Sequence, residues 1–170
     1  AAAINRTIDE TYGTIVREAQ ESMAGGVSLS CMYITWETYQ CGNVLSLIVS
    51  CGWGFDMNTH SVYLYDTATG EQMTTAQLLE TLQVEPETFL AAVRQAAAER
   101  FDGKYAGIGG DTDELVAERR AWTLSDENIN LDVMTYADAA GNLYVYLPIG
   151  SIAGAASYEE PLTLDLGAAG

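Results

Sequence analysis

The 170-residue chain carries 24 acidic side chains against seven basic ones, a formal charge of −17, and nearly half of its residues are hydrophobic. That field repels phosphate backbones and anionic lipid, which argues against a nucleic-acid partner. No apolar run reaches the ~18 residues of a membrane span, and the length suits one domain, expected to run over 1–170, with a substantial core.

Ala1-Ala2-Ala3 leads directly into a helix with no visible signal peptide. The sequence therefore leaves open a cytosolic chain or one whose signal has been removed. One His, few Lys and Arg, and ten Tyr lean towards the second. Ile4, Ile8, Tyr12, Ile15, Ala19 and Met23 recur at steps of four and three, which predicts a helix over 4–24 stopped by Gly25-Gly26.

Strands and helices are then expected over 27–166. In 27–40, Val27, Leu29, Cys31 and Tyr33 alternate with Ser28, Ser30, Met32, Ile34 and Trp36, the period of a strand. Cys41-Gly42-Asn43 reads as a hairpin turn, and the return strand over 44–55 is almost continuously apolar to Cys51, as a central strand is. Gly52 and Gly54 around Trp53 predict a bulge or bend. A reversal at residue 41 would set Cys31 opposite Cys51 at disulfide distance; buried thiols are the alternative.

From His60 to Tyr65, Val62 and Leu64 alternate with Tyr63 and Tyr65, a further strand. Asp66 to Gly70 is a turn, and Thr74 with Gln77 forms the capping box of a helix that begins near Met73. Pro86 restarts the chain as a helix with Phe89, Leu90, Val93, Ala97 and Phe101 on its buried stripe. A Gly-rich loop over 102–111 precedes a short polar helix at 112–120. Trp122-Thr123-Leu124 is expected to open a strand-rich third. There Ile129, Leu131, Val133 and Thr135 alternate, residues 138–142 turn, and Leu143, Val145, Leu147 and Ile149 alternate back. Leu162, Leu164 and Leu166 suggest an edge strand. The fold class is α+β: a mainly antiparallel sheet with helices packed against it.

Chemistry-bearing motifs are thin. His60 is the only histidine, so a Cys–His or Ser–His pair must use it; a loop-edge histidine bonded to backbone is the other reading. Gly150-Ser151-Ile152-Ala153-Gly154 lacks the spacing of a nucleophile elbow. Gly107-Ile108-Gly109-Gly110 lacks the strand, Lys and Ser/Thr of a phosphate loop. The three cysteines form no C-x-x-C pair, and Asp111-Thr112-Asp113-Glu114 fails the calcium-loop pattern at Val116 and Trp122. No catalytic residue, metal or cofactor is assigned. Trp36, Tyr39, Trp53 and Phe55 either pack a helix on the sheet or, for the glycine-framed Trp53 and Phe55, present anchors to a partner or glycan. Trp53, Phe55 and His60 are thus the candidate binding residues.

One pattern runs through most of the chain. A helix at Ile4-Asn5 leads to a long hairpin with return strand Val44-Leu45-Ser46-Leu47, then a loop ending in His60, then Tyr65-Asp66-x-x-Thr69-Gly70-x-x-Met73-Thr74-x-x-x-Leu78-Leu79. It resembles an extracellular bacterial domain of unknown function. That domain is found at the C-terminus of the lysozyme-sensing anti-sigma-V factor and as a non-catalytic companion of some peptidoglycan deacetylase domains. Where that family has Gly-Gly-Ala-His, Met57-Asn58-Thr59-His60 keeps only the histidine. The resemblance implies a non-enzymatic, extracellular or cell-surface module that binds or senses a cationic protein or a cell-wall glycan. The alternative from another class is a cell-wall glycan hydrolase using a carboxylate pair.

Overall fold

The structure, a computed structural model, describes residues 2–26, 33–52, 58–108, 110–153 and 157–167. It is α+β, with two antiparallel sheets and helices packed against them. Helix α1 (Ala2–Ile8) passes through a π-helical turn (Asp9–Gly13) into α2 (Thr14–Ala24), a continuous rod over the expected span. Strands β1 (Tyr33–Cys41), β2 (Val44–Gly52), β3 (Asn58–Asp66) and β4 (Glu71–Met73) form the first sheet in that order. Helices α3 (Thr75–Thr81), α4 (Pro86–Lys104) and α5 (Asp113–Thr123) follow. Strands β5 (Met134–Ala137), β6 (Leu143–Gly150) and β7 (Ser157–Thr163) make the second sheet.

Local chemistry explains the ends of several elements. Gly42 takes φ +56° at the first position of a two-residue loop closed by Cys41 and Val44, which suits a type II′ hairpin turn. At α3 the capping box is complete: the Thr74 N–H donates to Gln77 Oε1 (2.8 Å), and the Gln77 N–H donates to Thr74 Oγ1 (3.3 Å). Pro86 opens α4, where Phe89, Val93, Ala97 and Phe101, spaced four apart, are wholly buried.

The first sheet is packed on both faces at its central strands, β2 and β3. Its inner face sets Val44, Val62 and Leu64 in the main core with α3, α4 and the buried odd-numbered residues of β6. Its outer face carries Val49, Cys51, Tyr63 and Tyr65, packed with Tyr12, Ile8 and Ile15 of the N-terminal rod. Ser46, fully buried, joins the two sheets: its hydroxyl donates to the Ala137 carbonyl (3.2 Å) and accepts the Ala137 N–H (3.3 Å).

Three expectations need correction. The reversal at Gly42-Asn43 places Ile34, not Cys31, opposite Cys51; residues 27–32, Cys31 among them, lie outside the described residues. Trp122 and Thr123 close α5 instead of opening a strand. Thr123 Oγ1 donates to the Arg119 carbonyl four residues back and accepts the Gly150 N–H, so helix and sheet together fix it. Ile129 and Val133 are buried as their alternation implies, but the strand begins only at Met134, after a series of turns.

Candidate functional site

Of the three candidate binding residues, Trp53 and Phe55 lie outside the described residues. His60 lies on β3 at the seam between the sheets. Its backbone N–H (2.7 Å) and its ring Nδ1 (3.1 Å) both meet Glu159 Oε2 of β7, and its ring stacks on Tyr146 of β6 at a centroid distance of 4.0 Å. The row continues through Tyr136, stacked with Tyr146, Tyr144 and Tyr39.

The cluster is a packed row of rings. Burial, reinforced by neighbouring phenols, pushes the Tyr136 hydroxyl far above its ordinary value, and burial raises Tyr146 as well. Tyr39 is raised chiefly because its hydroxyl donates to Glu37 Oε2 (2.7 Å). Phenols moved in that direction stay protonated at neutral pH. Among the described residues, the His60 ring meets a carboxylate, Glu159, through its Nδ1.

Three carboxyls among the described residues are held below their ordinary values. Burial pushes Glu160 up, but hydrogen bonds from Lys104 and Arg100 outweigh it and hold the carboxyl below its ordinary value. Asp102 is lowered by the two-pronged bond from Arg120, and Asp138 by the Asn142 amide. A glycosidase acid needs a carboxyl moved up. Among the described residues, no three metal-ligating side chains converge, and no helix is long and apolar enough to cross a membrane.

A different feature stands out, on the outer face of the first sheet. The N-terminal rod covers β2 and β3 but leaves a groove of about 730 Å³ beside β1. Ile8, Tyr12 and Val16 form one wall, Leu47 and Val49 the floor, and Ile34 and Trp36 the other wall. Trp36 is 72% exposed and Val16 44%. The π-helical turn faces this groove, contributing Asp9, Tyr12 and Gly13; such turns recur where a helix carries function. Alternation along β1 assigns Trp36 to this face. That its indole stands uncovered depends on where the rod lies, which the strand pattern does not report. Matched against protein-family models and curated proteins, the sequence has no counterpart among them.

Proposed function

We propose that the chain is a non-enzymatic binding or sensing module of the bacterial cell envelope, extracellular or surface-held, with a protein or cell-wall ligand. The observation that carries this reading is the apolar groove with Trp36 on its rim. An exposed indole beside a concave apolar surface is the usual anchor of a recognition site. The −17 charge favours a cationic partner through long-range attraction, and the pattern at 44–82 supports the envelope setting by its resemblance. The carboxylate-pair hydrolase is the weaker reading: among the described residues, Asp102, Asp138 and Glu160 are each held below the ordinary carboxyl value, the wrong direction for a glycosidase acid.

Calorimetric titration with lysozyme, as a cationic protein, and with soluble peptidoglycan fragments tests the proposal. Binding to at least one is expected at low ionic strength. For the protein it should weaken with salt, and Trp36→Ala should reduce it about tenfold or more. Absence of binding to both at low salt, or release of reducing ends from peptidoglycan, would overturn it.

A further inference from the structure

Among the described residues, the strand that carries Trp36 is also an edge of its sheet. Nothing among the described residues pairs with the far side of β1. The other edges are guarded in ordinary ways: β4 has three residues, β5 four, and β7 contains Pro161 with Glu159 and Glu160. β1 is nine residues long, has no Pro or Lys, and has a single charge at Glu37.

Its geometry fixes which groups are on offer. The two-residue loop is closed by the hydrogen-bonded pair Cys41–Val44, and such pairs alternate with non-hydrogen-bonded ones along an antiparallel ladder. Trp36, opposite Val49, and Thr38, opposite Leu47, fall in the second class, so their N–H and C=O groups point away from β2. Both also line the groove with their side chains. The groove and the outward main-chain groups therefore belong to the same residues.

We infer that β1 is a docking edge for an extended, basic segment of a partner protein, which adds as a further antiparallel strand and seats alternate apolar side chains against Trp36. This deepens the binding-module reading and rests on it. The occupant's chemistry follows from charge. A second copy is disfavoured because each carries −17. Fully overlapped antiparallel pairing of β1 with itself also sets Glu37, its central residue, directly against Glu37. An incoming strand that alternates apolar and basic residues reverses both terms. Its apolar residues lie over Trp36 and Thr38, and a basic residue lies opposite Glu37.

The probe is an eight-residue peptide alternating valine and lysine, followed by calorimetry and by amide hydrogen exchange of the protein. Two N-methylated forms complete the set. Valines opposite Trp36 and Thr38 send their N–H groups to β1, so methylating valine amides should abolish binding, whereas methylated lysine amides point outward and should leave it intact. Binding of the parent peptide should slow exchange of the Trp36 and Thr38 amides about tenfold at saturation. Glu37→Lys should weaken binding about tenfold.

Equal binding of all three peptides, unchanged exchange at Trp36 and Thr38, or no binding at millimolar peptide would overturn the inference. Salt-sensitive binding of lysozyme or of a peptidoglycan fragment with those amides unchanged would leave the module reading standing and remove only strand addition.

Discussion

His60 and Tyr146 lie face to face, ring centroids 4.0 Å apart and planes 16° apart, where β3 of one sheet meets β6 of the other. The contact is clamped by Glu159, whose Oε2 receives both the backbone N–H and the ring Nδ1 of His60. The side chains are well covered, His60 at 11% exposure and Glu159 at 28%. A stacked pair in such a setting contributes about 0.5–1.5 kcal/mol beyond its buried area.

A double-mutant cycle with His60→Ala and Tyr146→Ala should therefore return a coupling of about 0.5–1.5 kcal/mol from urea unfolding. His60→Ala alone should cost more than the coupling, because it also leaves Glu159 with one donor fewer. Additive single effects would mean that the rings touch without stabilising each other.

Leu64 and Leu47 separate the two cores. Both read as sheet-core residues in the sequence, but Leu64 is 5% exposed in the main core, whereas Leu47 is only half-buried, on the groove floor. Leu64→Ala should cost about 2–5 kcal/mol and Leu47→Ala distinctly less, because a site open to the groove leaves no closed cavity. Thermal and chemical denaturation rank them. Equal losses would mean that the groove is closed in solution.

How far the sequence spoke depended on the range over which each signal acts. The Thr74–Gln77 capping box, the turn at Gly70 and the stripe on α4 are decided within a few residues, and all are present. The hairpin register turned on which residues form the loop: with Gly42-Asn43 as its two central positions, Cys51 meets Ile34. Thr123 and Trp122 suit a strand by propensity, yet the contact of α5 with Gly150 holds them helical. β4 was missed because three residues carry no period. At the candidate site, alternation told the face of Trp36 but not its exposure, and the partner of His60 lies 99 residues away in sequence.

Gly150 and Gly103 make a matched test of backbone approach. A Cβ at Gly150 would lie 3.0 Å from the Arg119 carbonyl oxygen and 3.1 Å from Thr123 Oγ1, while at Gly103 it would meet nothing within 4 Å. Gly150→Ala should thus destabilise by about 1–3 kcal/mol through displacement of α5. Gly103→Ala, inside α4, should stabilise by about 0.5–1 kcal/mol by restricting the unfolded chain. Melting temperatures moving in the same direction would contradict the tight packing of α5 on the end of β6.

Acid should weaken the fold in part through Glu160. Burial raises its carboxyl, but Lys104 and Arg100 lower it by more, so its folded pKa lies below the unfolded value of about 4.3. A group depressed in this way binds fewer protons folded than unfolded. Its stabilisation is fully present above the unfolded pKa and is lost as pH falls through the folded one. Glu160→Gln keeps the shape but removes the titration, so the variant should be less stable than the parent at pH 7, and the gap should narrow steadily below about pH 4. Asp102 and Asp138, also lowered, make the parent acid-sensitive but are common to both proteins and cancel in the difference. Urea midpoints of the two proteins at neutral, weakly acid and strongly acid pH provide the check. A gap that stays constant or widens on acidification would mean that the Lys104–Glu160–Arg100 cluster contributes no stability through its charge.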